Sequence, residues 1–173
     1  MKKLKLLIPL LLVSIIMNAQ TKENFTLKDG VLTYSEVVTV QGKKSDDLYL
    51  NALTWINNTF ANPKAVIKSK DKELGVITLA IEYDPVQVDT PRSDWAWWTE
   101  FDLSIYVKDG RYRCVANHFI QRFGSYCANM APQTYEQRSQ KNGMDSATSD
   151  AIRIISPFVA SLKKQMLSDD SNW

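Results

Sequence analysis

The chain has 173 residues, with 21 lysines and arginines against 19 aspartates and glutamates, one histidine and two cysteines. This near-neutral balance lacks the basic footprint with which a protein displaces counterions from nucleic acid, so we expect no nucleic-acid partner. A single histidine and two cysteines in no recognised ligand spacing also argue against a metal site, and we expect no cofactor.

The first segment has the anatomy of a secretory signal peptide. Three lysines in the first five residues precede an apolar run over 6–17, and the small residue Ala19 follows. The run is shorter than the about 20 apolar residues of a membrane anchor, and no cysteine lies near the cleavage site to carry a lipid. We expect residues 1–19 to be removed and the mature chain to be periplasmic or secreted, without an anchor. It would carry 18 basic and 19 acidic side chains.

Hydrophobic periodicity predicts five strands and two helical regions in the mature chain. The strands, which are rich in β-branched and alternating apolar residues, fall at 33–41, 65–69, 76–83, 101–107 and 112–120. The first helix begins with Ser45 as its cap and stops at Asn62-Pro63. The second begins near Ser146, and Ser156-Pro157 predicts a kink or a restart within it.

The last two strands form the best local signal, a hairpin closed by Asp109-Gly110. We expect a type I′ turn with both residues at positive φ, so that Lys108 opposes Arg111. Alternation then predicts a core face, made of Phe101, Leu103, Ile105, Val107, Tyr112, Cys114, Ala116, His118 and Ile120. The reverse face is mostly polar but includes Tyr106, Val115 and Phe119.

This order of elements predicts an α+β fold with the sequence β-α-β-β-β-β-α. Because the strands alternate, the sheet is expected to be antiparallel, with helices packed on one face. The other face is left to solvent or to a partner. We expect one domain over residues 20–168, whose C-terminal part from about 128 to 168 is a helical extension.

Three segments resemble a family of bacterial exported domains of unknown function with a TATA-binding-protein-like (TBP-like) fold. They are GKKSDDLYLNALTWINNTF (42–60), AVIKSKDKELGVI (65–77) and YVKDGRYR (106–113), within a resemblance that spans about residues 37–118. The resemblance implies a curved β-α-β-β-β-β-α sheet with helices on one face, and it carries no functional residues. The fold name is no argument for DNA binding, because function lies in sites rather than in folds.

The single histidine, His118, suggests a nucleophile pair with Cys114 or Cys127. On one strand face the Cβ atoms of His118 and Cys114 would lie roughly 13 Å apart, too far for a hydrogen bond. Cys127 could approach His118 only if the chain made a tight turn back along the strand. We predict no catalytic residues, and a Cys/His hydrolase is the least favoured alternative.

The two cysteines could instead form a disulfide, which requires the chain to double back at Gly124, or they could remain free thiols.

Tryptophans make the most interesting candidate binding site. Trp95, Trp97 and Trp98 lie in the predicted loop before the fourth strand, where they could bind a partner, stack on a sugar or close the end of the core. Trp98 has the opposite parity to the other two, so at least one indole should stay exposed. Tyr106 and Phe119 would extend this surface along the open face.

Basic residues crowd the tip of the predicted hairpin. Lys108, Arg111 and Arg113 could bind an anionic group, or could serve only to solvate and protect an edge.

Taken together, these features predict an exported, non-enzymatic binding module of the cell envelope that uses the open sheet face and the Trp95–Trp98 loop. Its partner would be a protein or a glycan of the envelope, and a glycan- or small-ligand-binding protein is the alternative.

Overall fold

The computed structural model describes residues 24–83, 95–125 and 129–168. The predicted signal peptide and Cys127 lie outside these residues. No helix in the described ranges is long and apolar enough to cross a membrane.

The described residues form seven strands and four helices. The strands are β1 (Phe25–Lys28), β2 (Val31–Thr39), β3 (Ile67–Asp71), β4 (Val76–Tyr83), β5 (Trp95–Lys108), β6 (Arg111–Ser125) and β7 (Asn129–Thr134). The helices are α1 (Ser45–Thr59), α2 (Pro63–Val66), α3 (Tyr135–Asn142) and α4 (Met144–Leu167). The five predicted strands are all present, and β1 and β7 are additional.

All strands pair antiparallel in one open sheet, in the order β1-β2-β6-β5-β4-β3. The long strand β6 pairs with β2 along its first half and with β7 along its second half. The predicted α+β architecture is confirmed. The predicted C-terminal helical extension from about 128 to 168 begins with β7, and its helices start at Tyr135.

Helices α1 and α4 cover one face of the sheet. Leu48, Ala52, Trp55 and Ile56 of α1 are buried at helical spacing, as the sequence predicts. Helix α4 buries a matching stripe that runs from Ala147 to Met166. The two helices and the core face of the strands share one apolar cluster, so the opposite face is left open.

Helix α4 continues without interruption through Pro157, so the predicted restart at Ser156 is wrong. The Ser156 hydroxyl donates a hydrogen bond of 2.6 Å to the carbonyl oxygen of Ile152 within the same helix. The apolar stripe on both sides of Pro157 packs on the core, and this burial outweighs the hydrogen bond that proline removes.

A β-bulge in β6 reverses the predicted faces of its second half. Glu100 pairs with Ile120 but Asp102 pairs with Asn117, so His118 and Phe119 together oppose the single residue Phe101. His118 adopts a φ of +55°, a left-handed conformation that histidine tolerates better than most residues. The extra residue shifts the alternation by one position. His118 and Ile120, predicted in the core, therefore face outward, while Phe119, predicted on the open face, is 0% exposed.

The hairpin has the predicted register, with Lys108 opposite Arg111 and Val107 opposite Tyr112. Its turn is not type I′, because Gly110 has a φ of +74° but Asp109 does not have a positive φ. The neighbouring β2–α1 connection holds this turn. Gly110 donates its N–H to the Lys43 carbonyl at 2.9 Å, and the Asp109 carboxylate accepts the N–H of Ser45 at 2.8 Å. Asp109 thus caps α1 from a distant part of the chain.

Candidate functional site

The candidate binding residues that are not buried in the core lie on the open face of the sheet. Along β5 the residues of one parity, such as Leu103 and Ile105, are buried under the helices, and those of the other parity are partly exposed. The partly exposed set includes Trp98, Tyr106 and, on β6, Val115. Among the described residues, this face has a groove at the hairpin end and another at the bulge.

The hairpin-end groove has a volume of about 430 Å³ and is lined by Val37, Leu74, Tyr106, Lys108, Arg111 and Arg113, together with Val107 and Tyr112. Tyr106, Arg113 and Val37 occupy paired positions on β5, β6 and β2. The Arg113 guanidinium lies over the Tyr106 ring, 4.6 Å from its centroid. The groove therefore contains all three residues predicted to bind an anion and one of the predicted aromatic binders.

The bulge groove has a volume of about 410 Å³ and contains His118, Asp102 and Lys68. The His118 Nδ1 lies 3.1 Å from the Asp102 Oδ2, and the Lys68 ammonium donates to the same oxygen at 2.8 Å. The His118 side chain is 58% exposed, and its Nδ1 contact turns Nε2 away from Asp102. Asp102 thus orients a solvent-facing imidazole whose own backbone is in the left-handed conformation.

The far end of the open face carries an ion pair beside a tryptophan. Arg122 donates from both its Nε and its Nη2 to the Glu100 carboxylate, with the Nη2 bond at 2.9 Å. Trp98 pairs directly with Arg122 across β5 and β6 and is partly exposed. This bidentate pairing raises the pKa of the Arg122 guanidinium above its ordinary value, so the arginine stays charged.

The structure does not bring the predicted aromatic binders together. Trp98 and Tyr106 share the open face but are eight residues apart on β5, about 26 Å at the rise of a strand. Phe119 lies in the core and cannot bind a partner without unfolding. Trp95 and Trp97 belong to β5 rather than to a loop, and their side chains lie outside the described residues.

Cys114 and His118 lie on opposite faces of the sheet, so they cannot form a nucleophile pair. Cys114 is a fully buried free thiol, and no disulfide is formed at this residue. Burial raises the pKa of the thiol to about 12, and the nearby Glu36 carboxylate adds to the shift. Within the described ranges no three histidine, cysteine or acidic side chains converge as metal ligands would.

Sequence reasoning missed the outward position of His118 and the apolar part of the hairpin-end groove. A break in alternation at 116–121 was the available signal for the bulge, because Phe119 and Ile120 are consecutive apolar residues. The sequence places Val37 in a predicted strand, without indicating its face, and Leu74 between two predicted strands. In the structure they are 58% and 75% exposed and flank the basic residues.

The fold defines the class of the protein as an α+β domain with an open antiparallel sheet. The chain belongs to the family described as a domain of unknown function (DUF4468) with a TBP-like fold, which matches residues 34–121. The predicted family resemblance is therefore confirmed. A search of curated proteins found no match.

Two solved structures share the fold at low sequence identity. A DUF4468 family protein from Bacteroides ovatus ATCC 8483 is 13% identical with a TM-score of 0.65, and the match covers 87% of this chain and 94% of that one. A TBP-like protein from Parabacteroides distasonis ATCC 8503 is 12% identical with a TM-score of 0.59, and the match covers 80% of this chain and 96% of that one. At this identity the likeness shows the fold alone.

Proposed function

We propose that this protein is an exported binding module of the cell envelope, which holds a partner protein on its open sheet face and catalyses no reaction. One observation carries the proposal. Helices α1 and α4 pack on one face, while the other face holds partly exposed Trp98, Tyr106 and Val115 at positions that the core does not use. Burial of these side chains would have to come from a partner.

The export part of the proposal rests on the signal-peptide pattern of residues 1–19. A non-catalytic role is supported by the separation of the reactive groups. The Cys114 thiol is buried in the core, and His118 contacts an aspartate and lies on the other face. A hydrolase remains the least supported alternative.

Site-specific photo-cross-linking in cells tests this proposal. A photoreactive amino acid replaces Trp98, Tyr106 or Val115 on the open face, or Leu50, which is exposed on α1, as the matched control. We expect a discrete cross-linked protein from at least one open-face position and none from position 50. Equal cross-linking from both faces, or none from the open face, would contradict the proposal.

A glycan- or small-ligand-binding role is the second candidate, and the environment of Trp98 favours it. A partly exposed indole beside the Arg122–Glu100 pair offers a ring face for a sugar and polar groups for its hydroxyls. Titration of tryptophan fluorescence with cell-wall and dietary glycans separates the two roles. A saturable change that disappears in Trp98→Phe, with no cross-linked protein, would favour the glycan.

A further inference from the structure

We infer that the hairpin-end groove binds an extended acidic segment of the partner protein, whose carboxylates contact Arg111 and Arg113 and whose apolar side chains contact Val37 and Leu74. This inference deepens the proposed function and rests on it. The observations that carry it are the charge of the groove, its apolar flanks and its length.

The groove concentrates positive charge that no described acid neutralises. Lys108 and Arg111 stand directly opposite each other, and Arg113 follows on the same face of β6. Like charges at opposite positions of a sheet lower stability. No ion pair joins any of the three to an acid within the described residues, and the nearby Asp109 carboxylate is turned to the Ser45 N–H. The groove therefore attracts an anionic group from outside the chain.

The stacking of Arg113 on Tyr106 favours a carboxylate as that group. The tyrosine ring covers one plane of the guanidinium, which limits its rotation and leaves its N–H edge available. A guanidinium edge held in this way donates two parallel hydrogen bonds to a carboxylate. Phosphate could accept the same bonds, so charge alone does not choose between the two anions.

The apolar flanks favour a peptide. Val37 on β2 and Leu74 before β4 are 58% and 75% exposed at the two ends of the basic row. Three strand spacings separate β2 from β4, a distance of about 14 Å, which about four residues of extended chain would span. An inorganic anion would leave the Val37 and Leu74 side chains in water. A peptide that carries aliphatic as well as acidic side chains would cover them.

Fluorescence anisotropy with synthetic peptides tests the inference. The probe is a labelled eight-residue peptide of alternating glutamate and leucine, and the control peptide has glutamine in place of glutamate. We expect the acidic peptide to bind at least about tenfold more tightly than the control, and to bind more weakly as salt is raised.

Three double variants test the groove, and one of them is the matched control. Arg111→Gln with Arg113→Gln should weaken binding at least about tenfold. Lys64→Gln with Lys164→Gln removes the same charge from exposed helical positions and should leave binding unchanged. Val37→Ser with Leu74→Ser should weaken binding of the glutamate–leucine peptide but not of an all-glutamate peptide. Circular dichroism confirms that each variant is folded.

Four results would overturn the inference. These are no binding of the acidic peptide, unchanged binding by the Arg111/Arg113 variant, full competition by inorganic phosphate, and arginine-dependent binding of phosphatidylglycerol vesicles or duplex DNA in place of the peptide. Failure here is distinguishable from failure of the proposed function. Cross-links from the open face without peptide binding would reject the acidic segment alone, whereas absence of those cross-links would reject the binding face.

Discussion

The Phe101 and Phe119 rings stack in the core with their centroids 5.5 Å apart and their planes 17° from parallel. This contact exists because the bulge at His118 shifts the alternation of β6 by one residue. Without that shift Phe119 would face solvent and His118 would enter the core. The bulge thus separates the residues that stabilise the domain from those that are available to a partner.

Replacing Phe119 with alanine should strongly destabilise the domain. The ring also contacts Tyr135 with a centroid separation of 5.5 Å, so its loss leaves a cavity between β6 and α3. We expect a loss of about 3–5 kcal/mol in the free energy of unfolding, measured by urea denaturation. Val115→Ala, on the open face of the same strand, should lose about 1 kcal/mol or less. Similar losses for both variants would show that the bulge is misplaced.

Much of the fold could be predicted from local pattern. The two-residue loop at Asp109-Gly110 fixed the pairing of Lys108 with Arg111, and strand β4 has the predicted bounds Val76–Tyr83. Strands β1 and β7 have no such signal in the sequence. They form because they pair with β2 and β6, not because their own residues follow an apolar pattern.

The candidate site could be predicted only in part. Lys108, Arg111 and Arg113 are close in sequence, so hairpin pairing alone brings them together. Val37 and Leu74 come from distant parts of the chain, and only the strand order places them beside this cluster. The break in alternation at Phe119 and Ile120 signals an irregularity in β6, but both residues are apolar, so it does not show which of them faces the core.

Gly75 should tolerate a side chain less well than Gly42 does. A Cβ at Gly75 would lie 2.7 Å from the Val107 carbonyl oxygen, and its φ is +63°. Gly42 has a φ of +79°, and a Cβ there would have nothing within 4 Å. Gly42→Ala should therefore lower the free energy of unfolding only through the strain of the left-handed conformation, by about 1–2 kcal/mol. Gly75→Ala should cost at least about 1 kcal/mol more in chemical denaturation. Equal losses would show that Val107 moves aside freely.

Asp109 should make stability depend on pH through its contact with α1. The hydrogen bond from the Ser45 N–H lowers the pKa of the Asp109 carboxyl in the folded state. Its contribution is therefore complete above its ordinary pKa, near pH 4, and is lost as the pH falls through the lowered value. Asp109→Ala should lower the melting temperature at pH 7 and by much less at pH 2. The control Asp47→Ala removes an exposed acid of α1 that makes no such contact with the residues the structure describes. A matching pH profile for this variant would contradict the capping role.

Cys114 should be unreactive while the domain is folded. Burial raises the pKa of the thiol to about 12, so the thiol stays protonated at pH 8, and the side chain is fully buried. The Cys127→Ser variant leaves Cys114 as the only thiol, and its modification by iodoacetamide should require denaturant. Rapid labelling of the native protein would show that the β2–β6 region opens readily.

The measurement that tests the central claim most directly is the yield of the photo-cross-linked complex from a double variant of the open face. The variant combines Tyr106→Ala with Val115→Ser, and the photoreactive residue is at position 98. Neither side chain belongs to the apolar core, so the variant should keep its melting temperature within a few degrees. We predict loss of most of the complex, whereas the control Leu50→Ala on α1 keeps the full yield. An undiminished yield from the folded double variant would contradict the assignment of the open face as the binding surface.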